Sequence, residues 1–278
     1  MKIDEVFCHT FKALRHELGH DRPKDQRPLW QRRLSTESAF CRALVTCGYM
    51  TEEQMLRAAE RYRLGCSRDG GVIFWQIDQM RQVYDGKIMY YRPDCHRDHQ
   101  RHPNWVSNLL KRHYLKDDSQ LAASIPSQHC LFGTHLLANT NLTNQTNKEN
   151  LEALHSCNSC NSCSEEKSNS CSVKKSICVV ESEKTAVILS ELYPDNLWLA
   201  AGGLYELTAQ KLFPLRGRRI VLFPDTDEQC LAYATWYRVM QEAQRLLGQT
   251  IHLSAVLEQR ATKAQKAAKI DLVDLLFP

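Results

Sequence analysis

The hydrophobic pattern is sharpest over residues 176–227. Ile177–Val180 is an apolar run that stops at Glu181. A short run of this kind, bounded by polar residues, predicts a strand buried on both faces. Residues 182–192 then place Ala186, Ile188, Leu189 and Leu192 at helical spacing, and Pro194 ends that helix. Leu197–Ala200 is a second apolar run, closed by Gly202 and Gly203. Ile220–Phe223 is a third, closed by Pro224, Asp225 and Asp227. Strand, helix, strand, helix, strand predicts right-handed crossovers and a parallel sheet. Further on, Trp236, Val239, Met240 and Leu246 mark an amphipathic helix over 232–247, and residues 251–256 read as a fourth strand.

Upstream the period changes. Val6, Phe7, Phe11, Leu14 and Leu18 recur at helical spacing, with Gly19 as a stop. Ala39, Phe40, Ala43, Leu44 and Val45 form another apolar patch. Thr51 stands where a capping residue would, with Met55, Ala58 and Ala59 on the inward face of its helix. Between these patches, residues 22–33 are basic, carry Pro23 and Pro28, and read as a solvated loop. Residues 72–78 and 86–91 are strand-like, and Asp85-Gly86 between them predicts a hairpin turn. Residues 139–175 carry short repeats of Asn and Thr, then of Ser, Cys and Asn, too poor in large apolar groups to build a core. The expected organisation is a helical region over 1–68, a mixed α+β basic region over 69–137, a linker over 138–175 and an α/β domain over 176–278 with a parallel sheet flanked by helices.

Composition adds little to this picture. The 278 residues are 43% hydrophobic and 24% charged, with a formal net charge of +4. Such a chain has ample core, and its mild basicity is compatible with nucleic acid. No run approaches the roughly 20 apolar residues of a membrane span, and the first residues lack the apolar stretch of a signal peptide, so a cytoplasmic protein without a membrane partner is expected. In that compartment most of the 12 cysteines are expected as free thiols.

The chemistry sits at strand ends. Ligands of open α/β sheets bind outside the carboxyl ends of the strands. If the first and third strands are neighbours, Glu181, Asp225 and Asp227 converge there. Residues two apart in an extended segment point the same way, so Asp225 and Asp227 are candidate ligands of one ion. An all-oxygen set favours Mg²⁺ or Mn²⁺. The bland alternative is a turn, or carboxylates at helix starts; the same pair of readings applies to Asp271 and Asp274. Lys184, one turn past Glu181, is a candidate phosphate contact, as are Arg218 and Arg219. Lys87, Arg92, Arg97, Lys111 and Arg112, interleaved with Tyr90, Tyr91, Trp105 and Tyr114, suit phosphate contact with base stacking. Metal ligation by His96, His99, His102 and His113, or by Cys157, Cys160, Cys163 and Cys171, competes with solvated histidines and a repetitive linker.

The stretch V-V-E-S-E-K-T-A, W-L-A-A-G-G-L, L-R-G-R-R-I-V-L-F-P-D and I-D-L-V-D-L-L resembles the Toprim module of primases, topoisomerases and some nucleases. It looks closest to a primase-like Toprim family of bacterial conjugative and mobilisable elements. Y-R-L-G, V-I-F-W-Q-I-D and C-L-F-G-T-H-L-L ahead of it resemble the layout of the replicative primase core without its zinc ribbon, with residues 131–135 as the joint. The resemblance implies a Toprim-like sheet, catalytic Glu181 and Lys184, and metal held by Asp225 and Asp227, with Asp271 and Asp274 as outer ligands. It also implies single-stranded DNA and nucleotides as substrates, and a helicase or other replication protein of a mobile element as partner. A nuclease, or a DNA-binding accessory protein that has lost catalysis, is the alternative. Ser182 stands where the family usually has Gly, and no Gly follows Asp227 closely.

Overall fold

The computed structural model describes residues 36, 38–67, 69–113, 129–138 and 175–278. The helix expected over residues 6–18, the basic loop at 22–33, Tyr114 and the repetitive stretch with Cys157, Cys160, Cys163 and Cys171 lie outside the described residues.

Two helices come first. α1 (Ala39–Thr46) is capped by Ser38, whose hydroxyl accepts the Cys41 N–H at 3.2 Å. α2 (Glu52–Tyr62) opens on a capping box: Thr51 Oγ1 accepts the Gln54 N–H, and the Gln54 side chain accepts the Thr51 N–H. Met55, Ala58, Ala59 and Tyr62 form its buried face, as the apolar spacing predicts.

An antiparallel sheet follows, in the order β1 (Gly65–Cys66), β2 (Val72–Ile77), β3 (Val83–Met89) and β4 (Asn104–Trp105). The hairpin is where the sequence puts it, but the turn is not. Asp85 and Gly86 lie inside β3, and the chain reverses at residues 78–82. There Asp78 Oδ1 accepts the N–H groups of Met80 and Gln82, each at 2.8 Å, and Arg81 takes a left-handed φ of 62°. Asx side chains make such turns without needing Gly. Gly86 serves close packing instead: a Cβ there would lie 2.7 Å from Ile73 Cγ2 and 2.8 Å from Trp75 Cε3. Both faces of the sheet are covered. Phe74, Met89 and Tyr91 join the main core, while Trp75, Ile77, Val83 and Ile88 pack with Val106 of α3 (Val106–His113) on the other side.

The second sheet is parallel throughout, in the order β6 (Leu197–Ala200), β5 (Ile177–Val180), β7 (Ile220–Phe223), β8 (His252–Leu253). The apolar runs of β5 and β6 are buried at every residue. α4 (Glu183–Leu192) links β5 to β6, a short 3-10 turn (Gln210–Leu215) precedes β7, and α5 (Leu231–Leu247) leads to β8. Three short helices close the fold: α6 (Val256–Arg260), α7 (Lys263–Ala267) and α8 (Leu272–Leu276). The mixed α/β architecture and the parallel sheet flanked by helices agree with the sequence reading. Among the described residues no helix is long and apolar enough to cross a membrane.

One continuous core joins the sheets. Phe132 forms a bridge to Ala200: its N–H donates to the Ala200 carbonyl at 2.9 Å, and its carbonyl accepts the Ala200 N–H at 3.1 Å. The Phe132 ring stacks on Tyr62 at 5.0 Å and meets Phe74 edge-on at 5.4 Å. Tyr62 Oη donates to the Trp198 carbonyl at 2.8 Å. Gly133 completes the joint: its φ is 87°, and a Cβ would come within 3.2 Å of the Trp198 carbonyl.

Candidate functional site at the carboxyl ends of the parallel strands

The chain runs from β5 to β6 on one side, then returns past β5 to β7 on the other. The direction of winding therefore changes between β5 and β7. In open α/β sheets the crevice at such a switch point is where ligands bind. Glu181 directly follows β5, and Asp225 follows β7 by two residues. Val180 and Phe223 are paired across the two strands, so both acids leave the sheet at the same edge.

The charge of Glu181 bears on Asp225. Burial pushes Glu181 up to about 7; Lys87 pulls it down, and Asp271 and Glu183 push it further up. Asp225 is held well above the usual carboxylate range by burial, then by Glu181, Asp271 and Asp274, with Lys184 acting the other way. Among the described residues no hydrogen bond relieves it. Carboxylates crowded like this repel one another, and a bound cation relieves that repulsion.

Asp227 does something else. Its Oδ1 accepts the N–H groups of Gln229 at 2.9 Å and Leu231 at 3.0 Å, and its Oδ2 accepts that of Ala232 at 2.8 Å. Burial alone would raise it, but these three donors hold it below its ordinary value. The carboxylate is spent on the start of α5, so its expected role as a metal ligand is corrected to a helix cap. The segment after Pro224 turns into that helix, and the extended geometry that would align Asp225 with Asp227 ends there.

The C-terminal pair is also structural in its contacts. Asp271 Oδ1 accepts from Val273 at 2.7 Å and from Asp274 at 3.0 Å, and Oδ2 accepts from the Thr185 hydroxyl. Asp274 Oδ2 accepts the Asp271 N–H at 3.1 Å, completing a capping box on α8. Lys184 Nζ lies 3.9 Å from Asp271 and 3.8 Å from Asp274, with 11% of its side chain exposed. Its placement is that of a counter-charge tying α4 to α8, and not of an open phosphate contact.

The largest surprise is Lys87. It was expected on a nucleic-acid surface, yet it reaches across from β3 into the crevice. Nζ lies 3.1 and 3.2 Å from the two Glu183 oxygens and donates to the Gly202 carbonyl at 2.6 Å. Only 12% of the lysine and 3% of the glutamate side chain is exposed. Gly202, with φ 96°, leaves room for this pair, since a Cβ there would sit 3.2 Å from Glu183 Oε1. Sequence reasoning missed Glu183 because an acid at a helix start is ordinary, and it missed the pairing because 96 positions separate the partners.

The other basic residues do not reach the crevice. Arg218 and Arg219 precede β7 and so sit at the amino edge of the sheet, a four-residue strand away from Asp225. That is about 13 Å at about 3.3 Å per residue. Arg92 is exposed and paired with Asp94 at 2.7 Å; Arg97 is exposed in a backbone bridge to Tyr91; Lys111 and Arg112 are exposed on α3. Tyr91 is buried against Phe40, and Trp105 stacks on His129, so neither ring is free for a base.

Among the described residues no three His, Cys, Asp or Glu side chains form a ready cage for a metal ion. The histidine cluster therefore gains no support. Glu181 and Asp225 alone still fit Mg²⁺ or Mn²⁺, because such ions are commonly held by one or two carboxylates with water and substrate phosphate completing the shell.

The pattern of a family described as a domain of unknown function (DUF6371) matches residues 38–149 and 166–226, more than half of the chain. The chain belongs to the DUF6371 family. The DUF6371 match takes in Lys87, Glu181, Glu183 and Asp225, and it ends before Asp227, Asp271 and Asp274. No curated protein matches the chain.

Proposed function

We propose that this protein is a Toprim-like, primase-like phosphoryl- or nucleotidyl-transfer protein that acts on DNA in the replication or transfer of a mobile element. One observation carries the reading: Glu181 and Asp225, two carboxylates raised in proton affinity, meet at the switch point of a parallel sheet. The order of an acid after the first strand and another after the third is the order that the resemblance to Toprim implies.

In this reading Glu181 and Asp225 hold Mg²⁺ or Mn²⁺, which neutralises charge on a transferring phosphoryl group. Lys87 is a positioning residue: it pins Glu183 at the start of α4 and the Gly202 carbonyl after β6, the two segments next to Glu181. Lys184 and Asp271 set the field around Asp225. Single-stranded DNA and nucleotides are the proposed substrates, and a replication protein of the element, such as a helicase, is the proposed partner.

The test is a labelled single-stranded DNA template with Mg²⁺ or Mn²⁺, with and without nucleotides. Nucleotide-dependent extension products support priming, while shortened template without nucleotides supports a Toprim-type nuclease. Glu181→Gln/Asp225→Asn should lower either activity by at least about 100-fold, the scale of losing a preorganised electrostatic site. Full activity in that variant overturns the site.

A further inference from the structure

The loop after β6 carries an open aromatic ring beside the crevice. Ala201 and Gly202 donate their N–H groups to the Val180 and Glu181 carbonyls, each at 2.9 Å, so the chain leaves β6 alongside Glu181. Tyr205 stands three residues further on, a span of at most about 11 Å. Its exposure of 71% is the highest of any Phe, Tyr or Trp among the described residues.

The backbone under that ring is tied down on both sides. Lys87 Nζ holds the Gly202 carbonyl at 2.6 Å. The Gly203 carbonyl accepts the Glu206 N–H at 3.1 Å, which closes a turn with Tyr205 in its third position. The Leu204 carbonyl accepts the indole N–H of the buried Trp236 at 3.0 Å, and the Leu204 N–H lowers the proton affinity of Glu181. Lys211 Nζ donates to the Glu206 carbonyl at 2.7 Å. The Tyr205 side chain takes no part in this: among the described residues nothing hydrogen-bonds to it or stacks on it. A lone exposed tyrosine is ordinary. One displayed by a fixed backbone next to two carboxylates is a preorganised contact, because little further ordering is needed to use it.

The other rings are spoken for or misplaced. Arg101 covers Tyr90 at 3.5 Å, Tyr91 is buried, and Trp105 stacks on His129. Tyr193 and Phe213 stand on the segments that enter β6 and β7, at the opposite edge of the sheet.

We propose that Tyr205 is a stacking platform for a base of single-stranded DNA whose backbone passes Glu181 and Asp225, an inference that rests on the phosphoryl-transfer reading of those two acids. Aromatic faces hold single-stranded bases of any sequence. A ring this open suits a passing strand, since sites for small molecules bury most of their ligand.

The experiment is fluorescence anisotropy of a dye-labelled thymidine oligonucleotide on the full chain with Mn²⁺, beside an abasic strand of the same length. Tyr205→Ala should weaken the thymidine strand at least about five-fold, the low end for one stacked base, and leave the abasic strand unchanged. Tyr205→Trp should bind the thymidine strand at least as tightly as the wild-type protein. Tyr205→Ala should melt with the wild-type protein and keep the rise in Tm on adding Mn²⁺, since the ring is exposed. Equal affinity of Tyr205→Ala and wild type, equal losses on both strands, or no saturable binding of the thymidine strand would each overturn the platform; a rise in Tm with Mn²⁺ would then leave the carboxylate site standing. A loss confined to the thymidine strand, with no effect of Mn²⁺ on Tm or affinity, would uphold the platform and overturn the metal reading.

Discussion

Each of the two sheets holds an aspartate, Asp85 buried in one and Asp225 half-buried in the other, and they treat it in opposite ways. Asp85, in the antiparallel sheet, has 1% of its side chain exposed and is saturated. It accepts the N–H groups of Gly86 at 2.7 Å and Ser107 at 3.0 Å and the Ser107 hydroxyl, with His129 at 3.6 Å. It anchors the start of α3. Asp225, at the carboxyl end of β7, feels the charges of Glu181, Asp271 and Asp274, and no described residue donates a hydrogen bond to its side chain. A buried acid that contributes to stability is surrounded by hydrogen-bond donors; one surrounded by other acids is held in place by the rest of the fold, which marks a functional site.

The harshest way to probe this contrast is to cut the link between the sheets. Lys87→Met should cost about 3–5 kcal/mol in urea unfolding, because it strands Glu183 in the interior. Adding Glu183→Gln should recover most of that loss. Next, Asp85→Ala should cost about 2–3 kcal/mol, through an unpaired helix start and an unsatisfied Ser107, whereas Asp225→Asn should be neutral or stabilising. Equal losses in the two variants would erase the distinction.

A pH series sharpens it further. Glu181 is raised from 4.5 to about 7, so the folded state keeps a proton that the unfolded chain has released. Stability should therefore fall as pH rises from about 4.5 to about 7. Thermal melts of Glu181→Gln/Asp225→Asn should lack most of that fall. In the wild-type protein, Mn²⁺ at pH 8 should raise Tm, and in the double variant it should not. The smallest effect belongs to Asp227→Asn, which should cost about 1 kcal/mol as a weakened cap and leave the Mn²⁺ response intact.

Much of the parallel sheet was legible because β5 and β6 are buried on both faces and β7 nearly so, and Ile177, Leu197 and Ile220 each open an unbroken apolar run. Glu181 and Asp225 were legible for the same reason, as the first acids after such runs. Asp227 was misread because cap and ligand look alike until the direction of the chain after Pro224 is known. Asp78 outcompeted Asp85-Gly86 for the turn because the Asx side chain closes the reversal, while Trp75 demands the space beside Gly86. The Lys87–Glu183 pair was illegible, since the packing of the two sheets, not local pattern, brings its partners together.

The Phe132 joint also governs how the gene can vary. Phe132 is stitched to the outermost strand of the parallel sheet, and Ile177 re-enters at its middle, so both attachment points are set independently of the chain between them. The family match itself pauses over residues 150–165, inside that interval. A change of length between Phe132 and Ile177 should therefore leave the pairing of β5 with β6 and β7, and so the placing of Glu181 and Asp225, unshifted.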